Sequence, residues 1–169
     1  MKSLKIYNPN LLLEQLNISK VPNIGKIIRD SGIKVMSVSS RIMENYRALI
    51  FFDSDDNNIY VNKNLSKEAK RFIATYMYSY IQLYYSSKDD KPFHKSLCEE
   101  EIFDKKAYQY ALRLLMPEKI FERDVEQGLN NRKLARKYKV SMFLANERRE
   151  LMDRDRQKAK FKVIQGRRG

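Results

Sequence analysis

The chain has 169 residues, 43% of them hydrophobic, which is enough for one compact domain but too short for two generous cores. A single cysteine, Cys98, excludes an intrachain disulfide, and no segment approaches the ~20 apolar residues of a membrane-spanning helix. The formal net charge of +13 predicts an anionic partner, and the absence of a secretory apolar run at the N-terminus predicts a cytosolic, cytoplasmic protein.

The first predicted elements are a short helix and three strands. Isoleucines at helical spacing predict a helix over residues 22–31, which Gly32 ends. Loosely alternating apolar residues over 33–38 then predict a strand. Two apolar runs, 47–52 and 59–62, flank a polar turn, and this pattern predicts a hairpin.

Five helical segments are predicted after the hairpin. Ser66 caps a central helix in which apolar residues recur every three or four positions up to Leu83. A surface loop over 86–93 separates it from a second long helix, about 100–115, which ends at Met116-Pro117. The remaining three helical segments are 120–127, 132–138 and 141–152, the last two joined by a tight turn.

Three segments together carry a resemblance to a known family. They are Ile59-Tyr60-Val61-Asn62 leading to Arg71-Phe72, the run DKKAYQYALRLLMP at 104–117, and LARKYKVS at 134–141. In this order and spacing they make residues 24–151 resemble the ImmA/IrrE zinc metallopeptidases. The resemblance implies an α+β fold, with a small antiparallel sheet packed on a helical bundle around the central helix. It also implies a family-like domain over 1–152, helix-turn-helix-like at 132–152, and a basic tail over 153–169.

The resemblance places a degenerate site on the central helix. The family carries His-Glu-x-x-His there, whose two histidines bind one zinc ion while the glutamate activates water. This chain has tyrosine at both histidine positions, Tyr76 and Tyr80, and Met77 at the glutamate position. Asp104 stands where the third, acidic ligand is expected, and we interpret it as a helix-start carboxylate near tyrosine phenols. The resemblance therefore implies a catalytically inactive pseudoenzyme without metal or cofactor.

Two alternatives remain open. His94, Cys98 and Asp104 could form a displaced metal site in a peptidase with relocated ligands, although their spacing matches no known motif. Residues 132–149 could instead serve a DNA-binding transcriptional regulator, with Met142, Phe143, Asn146 and Glu147 facing the bases. An apolar leading edge favours packing or a protein partner over base reading. The basic candidates for nucleic-acid contact are Arg132, Lys133, Arg136, Lys137, Arg148, Arg149, Lys158, Lys160, Lys162, Arg167 and Arg168.

The function implied by the resemblance is binding without cutting. Active family members cut transcriptional repressors or antitoxin-like proteins, often on phages and other mobile elements. A member that lost its metal site would keep the cleft that receives the partner. We therefore expect a regulatory protein that captures a protein, or a protein bound to nucleic acid, through this cleft and a basic surface, with no membrane involved.

Overall fold

A four-stranded sheet and seven α-helices make up the computed structural model, which describes residues 9–15, 20–39, 41–52, 57–85 and 93–166. The α+β class is as predicted. The helices are α1 Pro9–Gln15, α2 Ile24–Asp30, α3 Lys67–Tyr84, α4 Lys105–Leu115, α5 Glu118–Glu126, α6 Asn131–Tyr138 and α7 Met142–Gly166. The strands are β1 Lys34–Val38, β2 Tyr46–Phe52, β3 Asn57–Asn62 and β4 Phe93–Cys98. The sequence does not predict α1.

The sheet has the strand order β1-β3-β2-β4 and is mixed. β2 runs antiparallel to both β3 and β4, as the hairpin prediction requires, whereas β1 pairs with β3 in parallel. The prediction of a wholly antiparallel sheet is therefore wrong. The reason is that β3 lies between β1 and β2, which run in opposite directions, so a strand antiparallel to β2 must be parallel to β1.

The strand β4 is an edge strand that the sequence does not predict. It pairs with β2 from Phe93 opposite Phe52 to Cys98 opposite Tyr46. Only Leu97 is fully buried in β4, so the strand lacks the regular alternation that marks a half-buried strand. Apart from Phe93, the predicted loop over 86–93 lies outside the described residues.

The helix α3 forms the centre of the molecule. The Ser66 hydroxyl caps it by accepting a hydrogen bond from the Ala69 amide at 3.2 Å, as predicted. All eight residues over 72–79 are buried, because the sheet covers one side of the helix and α4 the other. Two buried hydroxyls, those of Thr75 and Ser79, donate to carbonyls one turn back at 2.7 Å. Because of this burial, α3 is a rigid support for the side chains of the candidate site.

The C-terminal helices pack as a pair joined by a tight turn. Lys139 ends α6 in the left-handed conformation, with φ 53°, and the Ser141 hydroxyl accepts from the Leu144 amide at 3.2 Å to begin α7. The two-helix prediction is correct, but α7 continues to Gly166 rather than ending at Met152. It crosses the predicted boundary at 152/153, and that division stays a prediction. Within the described part of the chain, every helix is too short or too polar to cross a bilayer.

Candidate functional site

A column of aromatic rings follows one side of α3. Phe72, Tyr76, Tyr80 and Tyr84 are spaced by four residues, so they lie one above the other. Their ring centroids are 6.5, 6.4 and 4.6 Å apart in chain order. Phe103, just before α4, packs edge-to-face on Tyr76 at 4.8 Å. The two tyrosines at the degenerate site therefore belong to a packed aromatic layer.

Asp104 ties this layer to the start of α4. Its backbone amide donates to the Tyr76 hydroxyl at 3.0 Å. Its carboxylate accepts from the Ala107 amide at 2.8 Å, which caps α4, and from the Tyr84 hydroxyl at 3.1 Å. Both contacts expected for a helix-start carboxylate near phenols are present. The structure thus places the Asp104 amide against Tyr76 and its carboxylate against Tyr84, and the degenerate site stays a prediction.

The donor set at these positions does not fit a catalytic zinc ion. Burial raises the pKa of Tyr76 to about 12, so the phenol keeps its proton where a zinc ligand would have to lose it. Met77 is completely buried and offers only a thioether, which cannot serve as a general base. The Asp104 carboxylate already caps α4.

The displaced metal site is not assembled either. His94 and Cys98 lie four residues apart on β4, which separates their Cα atoms by about 13 Å. Zinc ligands bind at ~2.0–2.3 Å, so these two side chains cannot share one ion. His94 instead packs its ring against Phe51 at 5.0 Å. Among the described residues, no group of three or more His, Cys, Asp or Glu side chains is placed to hold a metal.

One prediction tests the hydrogen bond that joins α3 to α4. Tyr76→Phe should lower the free energy of unfolding by about 1–2 kcal/mol, because the Asp104 amide loses its acceptor in a partly buried position. Chemical denaturation measures the loss. The matched control is Tyr84→Phe, which removes an exposed phenol and should cost about 0.5 kcal/mol. Equal losses in the two variants would mean that the Tyr76 hydroxyl stabilises the fold no more than the exposed Tyr84 hydroxyl does.

An apolar groove adjoins the tyrosine layer. It has a volume of about 790 Å³ and lies between the start of α3, the segment before α4 and the start of α7. Two side chains in its wall are largely exposed, Ile102 at 91% and Phe143 at 66%. We call this surface the apolar groove; its apolar side chains are those of Leu65, Ala69, Phe72, Ile73, Ile102, Phe103, Tyr108, Phe143 and Leu144.

The rim of the apolar groove is electrically balanced. Arg47 and Lys105 supply two positive charges, and Glu68 and Glu147 supply two negative ones. The Arg47 guanidinium lies over the Phe103 ring at 5.5 Å and also donates to a backbone carbonyl. The sequence does not reveal this groove, because its walls come from segments far apart in the chain. Phe143 and Glu147, two of the residues considered for base contact at the head of α7, lie in its wall and on its rim.

The basic candidates for nucleic-acid contact separate into different environments. Arg132, Lys133 and Arg136 are exposed on α6, whereas Lys137 forms an ion pair with the buried Asp124 at 2.6 Å. Lys158 and Lys160 are exposed on α7. The backbone of residue 162 belongs to the same helix, and Arg167 and Arg168 lie outside the described residues.

The prediction that Arg148 and Arg149 contact nucleic acid at the surface is wrong about where their side chains lie. Arg148 is 1% exposed: its Nε donates to the Met116 carbonyl at 3.0 Å and its guanidinium lies over the Phe121 ring. Burial lowers the pKa of Arg148 to about 10. The Arg149 side chain is half-buried and donates to the Leu129 carbonyl at 2.8 Å. Neither arginine therefore lies on an open surface that could contact phosphates.

The α6–α7 pair also differs from a base-reading surface at Asn146. Its amide oxygen accepts from Asn131 at 3.0 Å, and its amide nitrogen donates to Glu150 at 2.9 Å. Both ends of the amide are therefore engaged inside the protein. Met142 and Phe143, at the head of α7, are exposed apolar side chains without base-reading groups.

The mixed sheet packs on the buried central helix, and Asp104 caps the next helix beside it, which together form an α+β domain. The family model described as the IrrE N-terminal-like domain, of peptidase family M78, matches residues 28–150, and the chain belongs to this family. The match runs from α2 into α7 and includes the whole sheet, and it confirms the predicted resemblance. No curated protein sequence matches the chain.

Proposed function

We propose that the protein is a non-catalytic member of its family that binds an extended apolar segment of a regulatory protein in the apolar groove. The observation that carries the proposal is the position of this groove. Its wall shares Phe72 and Phe103 with the aromatic layer that packs on Tyr76. Its position beside Tyr76 supports a role for the groove in holding a polypeptide next to the predicted degenerate site.

The chemistry of the groove favours a polypeptide with apolar side chains. Most of its surface is hydrocarbon, and large side chains such as Ile102 and Phe143 are unfavourable in water until a partner covers them. The balanced charges on the rim give no preference for an acidic or a basic segment. Neutral apolar side chains, held by the groove and by hydrogen bonds at its rim, suit it best.

Loss of catalysis is supported by the donor set beside the groove. Tyr76 is protonated and buried, and Met77 cannot take a proton from water. A segment bound in the groove would meet packed tyrosines in place of a zinc-bound water. Binding without cutting is then the remaining activity.

The test uses purified protein and a displayed library of random peptides. We expect the selected peptides to be rich in apolar side chains, and Phe143→Glu to weaken their binding at least tenfold, because it places a charge in the groove wall. Phe161→Glu is the matched control, since Phe161 is equally exposed but lies further along α7 and outside the groove. Mass spectrometry after incubation with zinc should find the peptides intact.

Two outcomes would contradict the proposal. Equal loss of binding in Phe143→Glu and Phe161→Glu would place the peptide elsewhere on the surface. Cleavage of a bound peptide that depends on zinc and is abolished by Asp104→Ala would make the protein an active peptidase.

A further inference from the structure

A second concave surface lies between α3 and α6, on the other side of the α3 N-terminus from the apolar groove. It is a cavity of about 640 Å³. We call it the basic groove, after its five cationic side chains, Lys67, Arg71, Arg132, Arg136 and Lys139. A single acid, Glu68, also lines it. Neither the family match nor the apolar groove accounts for this concentration of charge.

The positive surface continues into an adjoining cavity of about 620 Å³. The two cavities share Arg71 and Lys139, and the second one adds Lys70 and Lys137. In the part of the chain that the structure describes, no acid lines the second cavity. The cations therefore form a continuous row and not a single cluster.

The fold does not neutralise the basic groove. In the described part of the chain, none of its five cations has a carboxylate within 4.0 Å. Lys67 and Arg71 are four residues apart on α3, and Arg132 and Arg136 are four apart on α6, so like charges repel along both helices. This arrangement weakens the isolated helices slightly, and an anion bound between them would offset the repulsion.

Arg71 is held in place to receive such an anion. Its Nη2 donates to the Pro22 carbonyl at 3.2 Å, which fixes the guanidinium. Its Nη1 is buried and has no hydrogen-bond partner among the described residues. Burial without an acid also lowers the pKa of Arg71. Because Nη1 is closed off from solvent, Arg71 contributes to the groove wall through the positive charge of its fixed guanidinium, which attracts a phosphate group.

We propose that the basic groove binds the phosphate backbone of a nucleic-acid strand. A single phosphate can contact two or three side chains, whereas the cations here extend across two adjoining cavities. A repeating anion can contact the unpaired cations of both cavities, while Lys137 stays paired with Asp124. Among the described residues, no aromatic side chain lines either cavity, so bases find no stacking platform there, and binding should be independent of sequence. This site does not depend on the apolar groove or on the function proposed for it.

The test measures binding of labelled oligonucleotides of about 20 nucleotides, single-stranded and duplex, over a range of salt concentrations. We expect Arg132→Gln with Arg136→Gln to weaken binding at least tenfold at ~50 mM salt and to lower the salt slope by roughly 2. Lys67→Gln alone, on the opposite wall, should lower the slope by roughly 1. Circular dichroism and thermal melting verify that the exposed substitutions leave the fold intact.

The matched control removes the same charge elsewhere. Lys119 and Arg123 are exposed and four residues apart on α5, outside both cavities. Changing both to glutamine should alter the affinity by less than about twofold. An equal loss in this control would overturn the proposal, since binding would then depend on net charge alone. Absence of binding by the unchanged protein at ~50 mM salt would overturn it too, as would displacement of the oligonucleotide by inorganic phosphate at millimolar concentration.

Discussion

Replacing Met77 with glutamate is expected to lower the free energy of unfolding by about 4 kcal/mol at neutral pH, because it buries a carboxylate without a partner. Met77 is completely buried in the middle of α3, where the neighbouring residues are buried as well. The loss should shrink as the pH falls towards about 4.3, since the protonated carboxyl is cheaper to bury. Met77→Leu is the control and should cost less than about 1.5 kcal/mol. Equal losses would show that position 77 is open to water.

Position 77 is also changed in a triple variant, which is compared with the unchanged protein for zinc binding. The triple variant Tyr76→His, Met77→Glu, Tyr80→His should recover zinc binding, because two imidazoles four residues apart lie on one side of α3 and position 76 is next to Asp104. Zinc at a hundred times its dissociation constant should stabilise this variant by about 2.7 kcal/mol, seen as a rise in Tm. The unchanged protein and Met77→Glu alone should show no such rise. A folded triple variant that ignores zinc would mean that these positions do not surround a former metal site.

Replacing Asp124 with alanine is expected to cost about 3 kcal/mol of unfolding free energy. The Asp124 side chain is 1% exposed and accepts from the Tyr138 hydroxyl and the Lys137 ammonium, both at 2.6 Å. Its removal leaves the fully buried Tyr138 hydroxyl without this partner. Lys137 is partly exposed and can turn to water, which keeps the loss near 3 kcal/mol. Chemical denaturation with two-state analysis measures it.

An exposed ion pair supplies the control for Asp124. Glu126 pairs with Arg156 at 3.0 Å, and both side chains are well exposed. Glu126→Ala should therefore cost less than about 1 kcal/mol. If Asp124→Ala cost no more than this, the buried network would contribute little to the joining of α5 and α6.

The sequence predicts those elements whose side chains follow a simple period. In α3 and α4, apolar residues recur every three or four positions, and a side chain caps the start of each helix, Ser66 for α3 and Asp104 for α4. The strand β4 could not be predicted in this way, because its residues are mostly half-buried on an edge. β1 pairs in parallel with β3 because β3 lies between β1 and β2, and no local sequence pattern indicates this order of strands.

The candidate site likewise has features that the sequence could predict and features that it could not. Tyr76, Met77 and Asp104 could be singled out from the sequence because Asp104 lies within a segment that resembles the family and the other two follow Arg71-Phe72 on the same helix. The two grooves were not predicted, because each is assembled from residues far apart in the chain, as with Ile102 and Phe143. Composition did reveal the excess of positive charge, but it could not locate Arg71 opposite α6.

The order of strands in the sheet has a consequence for synthesis of the chain. β2 gains one neighbour almost at once, since β3 follows it directly, but its other neighbour, β4, comes only after the whole of α3. At about 5–20 residues per second, the ribosome leaves the second edge of β2 open for some seconds. That strand carries Leu49, Ile50 and Phe51 in a row. The nascent protein therefore exposes an unpaired strand edge, which can pair with other chains, until Phe93–Cys98 emerges. Fragments that stop before Phe93 keep this edge permanently and should aggregate.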